Sequence, residues 1–193
     1  FKIPGSPIAY WISEGILKSF EEHPNVNSIG SAKQGIATGD NNRFLRFWYE
    51  PDLNKFSFAK DQNTKWLPYR KGGSNKKWYG NFELVCNWSQ DGYEIRNNIV
   101  DGKLKSRPQN LNYIFKIGAT WSLTNSGSFS MRYAPENFLF DVNGMTLFPK
   151  EESELSTIIG FFNTNVANQF LKIINPTMAF QSGDIEVVPI AET

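Results

Sequence analysis

A switch in hydrophobic periodicity near residue 150 sets the fold class. Residues 31–150 break into short runs of alternating apolar and polar residues separated by Gly, Asn and Asp, which is typical of strands joined by turns. Residues 153–175 instead carry apolar side chains at helical spacing, and Ser153 is placed to cap that helix. The chain is therefore predicted to be α+β, with a β-rich central module flanked by helices.

The flanking helix at the start is predicted over residues 7–22, where apolar residues recur near helical spacing and Pro7 suits a first helical turn. The 193-residue length fits one full-sized core, so we predict a single domain, 1–193. Its predicted parts are an N-terminal helix with a linker (1–30), the β-rich module (31–150) and a C-terminal helix with its tail (151–193).

Strands are predicted from turn residues that punctuate the alternation. Residues 35–38 and 43–50 flank a GDNN sequence, where Gly39 is expected to adopt a positive φ. Further strands are predicted at 82–88 and 93–100 around a Ser-Gln-Asp-Gly turn, in a hairpin over 120–133 and at 137–149, and 182–190 is expected to be extended. Asn175 and Pro176 are interpreted as the end of the C-terminal helix.

Charge is unevenly distributed along a chain whose net charge is only +1. Residues 51–132 carry thirteen basic and six acidic side chains, whereas residues 133–193 carry two basic and eight acidic ones. A basic middle segment fits a surface that faces a polyanion, and it fits scattered solvated lysines equally well.

A single cysteine, Cys86, excludes an intrachain disulfide, and no apolar run is long enough to cross a bilayer. We therefore expect a cytoplasmic protein with no membrane partner.

The glycine-punctuated stretch 31–48 invites comparison with a phosphate-binding loop. Such a loop needs four residues between its glycines and a Lys after the second one. Here Gly35 and Gly39 are one residue too close, and Asp40 follows the second glycine. A dinucleotide-binding G-x-G-x-x-G occurs nowhere in the chain. The sequence therefore argues against a nucleotide cofactor site.

Residues that could carry catalysis are isolated from suitable partners. The single histidine, His23, cannot form a metal cluster, and Cys86 lies in an apolar strand pattern with no other histidine to activate it. Asn175 and Pro176 begin like the Asn-Pro-Pro-aromatic motif of adenine methyltransferases, but Thr and Met follow. We predict no catalytic residue and no metal site.

Basic, aromatic and amide residues favour duplex DNA binding, since this function uses cations to contact phosphates and amides or Arg to contact base edges. The predicted phosphate contacts, with two glycines that allow close backbone approach, are Arg70, Lys71, Lys76, Lys77, Gly72 and Gly73. The predicted base-edge contacts are Asn41, Asn42, Arg43, Arg107, Gln109 and Asn110. Trp78 and Tyr79 are expected either to pack on the sugar–phosphate backbone or to fill the core, with the core favoured. The competing interpretation is that Asn and Gly only form turns.

Five blocks of sequence carry a resemblance to a known family, and they occur at 3–11, 34–48, 66–81, 106–122 and 161–190. In that order they resemble the C-terminal half of adenine-specific DNA methyltransferases of the BREX phage-defence type. They are similar, more loosely, to the TaqI-like specificity domain of type II restriction-modification enzymes. The resemblance implies a target recognition domain that docks in a DNA groove, while a separate N-terminal domain binds S-adenosylmethionine and methylates a flipped adenine.

The resemblance sets the functional expectation. The chain is expected to be a non-catalytic fragment that recognises specific double-stranded DNA, holds no cofactor itself, and partners the N-terminal methyltransferase domain and further defence subunits. Residues 176–190 are expected to be scaffold, with Gln181 a minor candidate for DNA contact. One alternative is a protein-interaction module of a defence complex. The other, a complete small methyltransferase or nuclease, is disfavoured by the missing motifs.

Overall fold

The computed structural model describes residues 12–58, 64–124 and 127–191. Its helices are α1 (Glu14–Glu22), α2 (Asn41–Phe44), α3 (Ser89–Arg96), α4 (Leu155–Phe162), α5 (Asn165–Ile174) and α6 (Ser182–Glu186). Its strands are β1 (Gly30–Lys33), β2 (Leu45–Phe47), β3 (Trp66–Arg70), β4 (Leu84–Asn87), β5 (Ile99–Val100), β6 (Lys103–Leu104), β7 (Gly118–Thr120), β8 (Arg132–Ala134), β9 (Leu139–Phe140) and β10 (Thr146–Pro149). The predicted α+β class is confirmed. No helix among these residues is both long and apolar enough to cross a membrane.

The first sheet has the strand order β1-β10-β7-β8, and every neighbouring pair is antiparallel. Its buried residues pack with those of α4, α5 and α6 in one core, which includes Trp121, Phe129 and Phe162. The indole Nε1 of Trp121 donates to the Phe180 carbonyl oxygen at 2.9 Å, so this large side chain is buried with its polar atom satisfied. The β7–β8 pairing confirms the predicted hairpin, although its turn at 125–126 lies outside the described residues.

The second sheet has the order β2-β4-β3-β9, with β3 and β9 parallel and the other pairs antiparallel. It encloses a separate core in which Phe44 from α2 and Ile95 from α3 pack with Trp88 and Cys86. Cys86 is fully buried, as the apolar strand pattern predicted, and burial raises the pKa of its thiol. A third, two-stranded sheet joins β5 to β6.

The predicted C-terminal helix is in fact two helices, α4 and α5. The Asn163 side chain leaves the helix to bond Met131, accepting from its N–H at 3.2 Å and donating to its carbonyl at 2.8 Å. Thr164 then caps α5 by accepting from the Ala167 N–H. Ser153 is not the cap, because it lies in a 3₁₀ turn before α4. Val166 is one of the apolar residues at helical spacing in the predicted helix 153–175. It is 53% exposed, because the break between α4 and α5 rotates it outward.

Three other local predictions are wrong. Residues 182–190 were expected to be extended, but Gln181 and Asp184 form a capping box that starts α6. Half of the predicted strand 93–100 lies in α3, and only its last two residues pair as β5. The GDNN sequence begins a helical turn, α2, and does not form a β-turn. The predicted first helix is confirmed over α1, whereas residues 7–11 lie outside the described part.

Candidate nucleic-acid interface

Two segments far apart in sequence lie side by side and carry three of the six predicted base-edge residues. Ala37 and Arg107 exchange backbone hydrogen bonds of 3.1 and 2.8 Å, which pairs the two extended segments. Gly39 has the predicted positive φ, +75°, and a Cβ there would lie 2.6 Å from the Lys105 carbonyl carbon. Only glycine therefore lets the loop turn against Lys105.

This pairing gathers a polar group that we name the amide cluster: Gln34, Arg107, Gln109, Asn110 and Gln181. The Gln34 side-chain oxygen accepts from Arg107 and from Gln109, both at 3.4 Å, and its amide donates to Gln181 at 3.0 Å. The backbone holds the cluster as well, since Gln109 donates to the Gly35 carbonyl and Asn110 to the Gln34 carbonyl, each at 2.9 Å. The cluster thus joins three distant parts of the chain in a fixed arrangement of donors and acceptors.

The remaining base-edge candidates lie on α2, beside the paired segments. Asp40 caps this helix by accepting from the Arg43 N–H at 3.0 Å. Asn41 and Asn42 are exposed, and the Asn41 side-chain oxygen accepts from Thr38 at 2.8 Å. Arg43 is half-exposed and forms an ion pair with Glu94 at 2.9 Å. Arg43 would therefore have to exchange this partner to contact a base.

The ion pair changes the titration of its carboxylate. The hydrogen bond from Arg43 is the largest cause that lowers the pKa of Glu94, and a second bond comes from the Asn87 side chain at 3.2 Å. Glu94 therefore stays ionised to a lower pH than an ordinary glutamate. Glu94 ties α3 to α2 and holds Arg43 at the border of the predicted interface.

Lys71 meets Asn41 and Asn42 across a shallow cavity of about 370 Å³, which Arg46 also lines. The Lys71 ammonium lies 3.5 Å from the Asp141 carboxylate, which is almost completely buried. A predicted phosphate contact and two predicted base-edge contacts therefore share one concave surface. Sequence reasoning did not identify Arg46, because its position in a strand pattern carries no signal about which cavity it lines.

Arg70, by contrast, is buried and cannot reach a DNA phosphate in this conformation. It is 1% exposed, and its guanidinium lies 5.9 and 5.8 Å from the ring centres of Phe138 and Phe140. Its Nη1 donates to the Pro135 carbonyl at 3.0 Å, while its Nε and Nη2 have no partner among the described residues. Burial lowers the pKa of Arg70 to about 9. The prediction of an exposed phosphate contact is corrected here, because β3 turns this side chain into the interior.

Replacing Arg70 with methionine is expected to raise the free energy of unfolding by about 1–3 kcal/mol, because a buried charge without a carboxylate partner costs more than it returns. Urea denaturation followed by tryptophan fluorescence measures this change. Lys18→Met is the control, since Lys18 is exposed on α1 and its replacement should leave stability nearly unchanged. A loss of stability in Arg70→Met would show that the bond to Pro135 outweighs the desolvation of the guanidinium.

The other predicted phosphate contacts lie along the loop after β3. Gly72 has a φ of +96°, and a Cβ there would lie 2.5 Å from the Asn143 carbonyl oxygen, so the loop packs tightly before Gly73 reaches the surface. Lys76 is exposed and lies 3.6 Å from Glu83, and Lys77 donates to the Asn163 carbonyl at 3.1 Å. These two lysines remain accessible to a polyanion.

The aromatic residues of this loop are exposed, contrary to the expectation that they fill the core. Trp78 and Tyr79 are 56% and 63% exposed, because Trp78 has a φ of +72° and bridges to Arg132 through its backbone alone. Tyr79 lines an apolar groove of about 500 Å³ together with Trp48 and Phe82. Local sequence patterns do not reveal this groove, since its residues come from four separate segments.

Comparisons with known proteins agree with the sequence resemblance. No family model matches the chain. The chain is 39% identical over 199 residues to an adenine-specific methyltransferase PglX of Lacticaseibacillus casei (strain Zhang), and 38% identical over 192 residues to an adenine-specific methyltransferase BrxX of Escherichia coli O9:H4 (strain HS). The alignments cover 99% and 98% of this chain but only 17% and 15% of those relatives. The chain is thus homologous to one segment of adenine-specific methyltransferases that are several times longer.

Proposed function

We propose that this chain is the duplex-DNA recognition domain of an adenine-specific DNA methyltransferase of a phage-defence system. The observation that carries the proposal is the backbone pairing of Ala37 with Arg107, since it brings the amide cluster and α2 together beside Lys71. The homology to segments of two adenine-specific methyltransferases supports the same function.

The chemistry of this surface matches what base edges and phosphates require. Guanidinium and amide groups can form paired hydrogen bonds with base edges in the major groove, and lysines neutralise phosphates. Arg107 and Gln109 share the acceptor of Gln34, so their orientation is set before DNA arrives. In this proposal Lys71, Lys76 and Lys77 contact the DNA backbone, and the buried Arg70 does not.

The methylation step belongs, in this proposal, to another part of the same polypeptide. No residue of this chain is assigned to S-adenosylmethionine. Among the described residues, no group of three or more His, Cys, Asp or Glu side chains is placed to hold a metal ion. The proposed partners are duplex DNA, the N-terminal methyltransferase domain of the same chain and further subunits of the defence system.

Removing a base-edge side chain should change which DNA is bound. In the full-length protein, Arg107→Ala and Gln109→Ala are each expected to weaken binding to a preferred duplex by about 5- to 150-fold and to relax selection at one or two base pairs. Lys76→Glu with Lys77→Glu should instead weaken all duplexes alike and flatten the salt dependence. Sequencing of duplexes selected from a randomised pool, followed by titrations at several salt concentrations, measures both effects.

Lys172→Glu is the control for charge, because Lys172 is exposed on α5 and lies outside the proposed interface. It should leave both affinity and selected sequence close to those of the unaltered protein. The proposal is wrong if the unaltered full-length protein selects no duplex sequence. It is also wrong if the Arg107 and Gln109 variants select the same sequences with the same affinity.

A further inference from the structure

The hairpin formed by β5 and β6 stands out of the molecule beside the amide cluster. Every residue from Ile99 to Lys105 is exposed, and Asp101 and Gly102 both have positive φ, as in the type I′ turn that suits a two-residue hairpin. Ile99 pairs with Leu104 and Val100 with Lys103. The chain thus presents a short two-stranded ribbon whose side chains contact little of the protein.

The base of this hairpin is fixed, although its tip is free. Asn98 is buried and donates to the Thr38 carbonyl at 3.2 Å, and the buried Ser106 hydroxyl donates to the Ile95 carbonyl. Lys105 closes the ladder by donating its N–H to the Asn98 carbonyl at 2.8 Å. About three residues of strand extend beyond this base, a reach of roughly 10 Å. The ribbon is therefore held in one direction before any ligand binds.

The exposed face of the ribbon is apolar where an ordinary surface hairpin would be polar. Ile99 is 61% exposed and Leu104 is 51% exposed, and as directly opposed residues they point to the same face. Val100, 45% exposed, lies on the other face opposite Lys103. Ile99 and Leu104 cover part of each other as a cross-strand pair, and a partner that covers the area still exposed would add further free energy.

The charges around the ribbon indicate what that partner is. From Asn97 to Arg107 the chain has three basic side chains, Lys103, Lys105 and Arg107, and one acidic side chain, Asp101. Within the described part of the chain, neither Lys103 nor Lys105 forms an ion pair with a carboxylate. The ribbon therefore has one apolar face, Ile99 with Leu104, and an opposite face that carries the two lysines. This arrangement matches a groove whose floor is base edges and whose walls are phosphates, because long lysine side chains can extend sideways from the ribbon to the walls.

We propose that this hairpin enters the major groove of duplex DNA, with Ile99 and Leu104 against the methyl groups of thymine and Lys103 and Lys105 against the phosphates. Two strands lie about 4.8 Å apart, so the ribbon with its side chains fits a groove about 12 Å wide and about 8.5 Å deep. Arg107 belongs both to the base of the hairpin and to the amide cluster, so one duplex contacts both. This inference rests on the proposed function and adds a specificity element to it.

The test uses the full-length protein and its selected duplex, made once with thymine and once with uracil, which lacks the methyl group. The unaltered protein is expected to bind the uracil duplex about tenfold more weakly. Ile99→Ser with Leu104→Ser should bind the thymine duplex about tenfold more weakly and no longer distinguish the two duplexes. Val166→Ser with Met178→Ser, exposed apolar residues outside the interface, should change neither value.

The outcomes separate this inference from the function on which it rests. If the unaltered protein selects no duplex, both the proposed function and the hairpin proposal are wrong. If Arg107→Ala alters the selected sequence while the Ile99 and Leu104 double variant binds normally, only the hairpin proposal is wrong. If that double variant binds weakly but uracil has no effect on the unaltered protein, the major-groove assignment is overturned. Matching thermal midpoints of the double variant and the unaltered protein establish that the fold is intact.

Discussion

Gly35→Ala is expected to lower the free energy of unfolding by at least about 3 kcal/mol. A Cβ on Gly35 would lie 1.9 Å from the Phe140 carbonyl oxygen and 2.3 Å from its carbonyl carbon, so one of two hydrogen-bonded backbone segments must move. The Ile36 N–H donates to that same Phe140 oxygen at 2.7 Å, and the movement would stretch this bond. Urea denaturation followed by tryptophan fluorescence measures the loss.

The same substitution, Gly35→Ala, should also disturb the proposed DNA interface. Gln109 donates to the Gly35 carbonyl, so a displaced Gly35 loosens the amide cluster and weakens DNA binding by the full-length protein. Gly160→Ala is the control, because a Cβ at that position in α4 meets no heavy atom within 4 Å, and alanine there should stabilise the helix by about 1 kcal/mol. An unchanged midpoint in Gly35→Ala would show that the two segments are packed more loosely than the structure describes.

Asp141→Ala is expected to cost about 3 kcal/mol of stability, because several donors converge on this buried carboxylate. The Tyr69 hydroxyl donates to it at 2.6 Å, and the Asn143 N–H and side-chain amide donate at 2.7 and 2.9 Å. Burial is the largest cause that raises the pKa of Tyr69, and the Asp141 charge raises it further, so Tyr69 remains a neutral donor. Removing the carboxylate leaves the buried Tyr69 hydroxyl with the Ile36 carbonyl oxygen, 2.8 Å away, as its remaining acceptor, and it removes both bonds from Asn143.

The loss of Asp141 also frees Lys71, which faces the cavity shared with Asn41 and Asn42. Urea denaturation of Asp141→Ala and Asp141→Asn measures the stability effect, and we expect the Asn variant to lose less because it retains one acceptor. Glu21→Ala, an exposed carboxylate on α1, is the control and should change stability by a few tenths of a kcal/mol. Equal stability of Asp141→Ala and the unaltered chain would contradict the network described here.

Local sequence patterns predicted the elements whose signals are local. Alternation identified β4 and the β7–β8 pairing, helical spacing identified α1, and Asn175 ends α5 as its position before a proline predicted. The failures occur where a distant residue competes with a local pattern. Asn163 breaks the predicted long helix because Met131 offers it two backbone hydrogen bonds, a partner 32 residues away that periodicity does not reveal.

The predicted interface divides in the same way. Arg107, Gln109 and Asn110 are predicted as base-edge contacts from their residue types. The structure places them together with Gln34, more than 70 residues away in sequence. Arg70 is predicted by the same reasoning but is buried, because β3 is an inner strand whose residues 67–70 are buried on both faces, and local sequence does not state that both faces are covered. For the projecting β5–β6 hairpin, the sequence predicts only that residues 99–100 end a strand, since exposure is a property of the packed molecule.

Local sequence patterns were sufficient to predict the α+β class, the lack of a phosphate-binding loop motif and the similarity to adenine-specific methyltransferases. These properties follow from residue spacing, motifs and residue identity, each of which can be obtained from neighbouring residues in the sequence or from sequence alignment. Tertiary packing sets which polar side chains share one surface, buries Arg70 beneath that surface and leaves the β5–β6 ribbon exposed beside it. Such contacts depend on the pairing of Ala37 with Arg107 and the packing of Gly35 on Phe140, which join segments tens of residues apart.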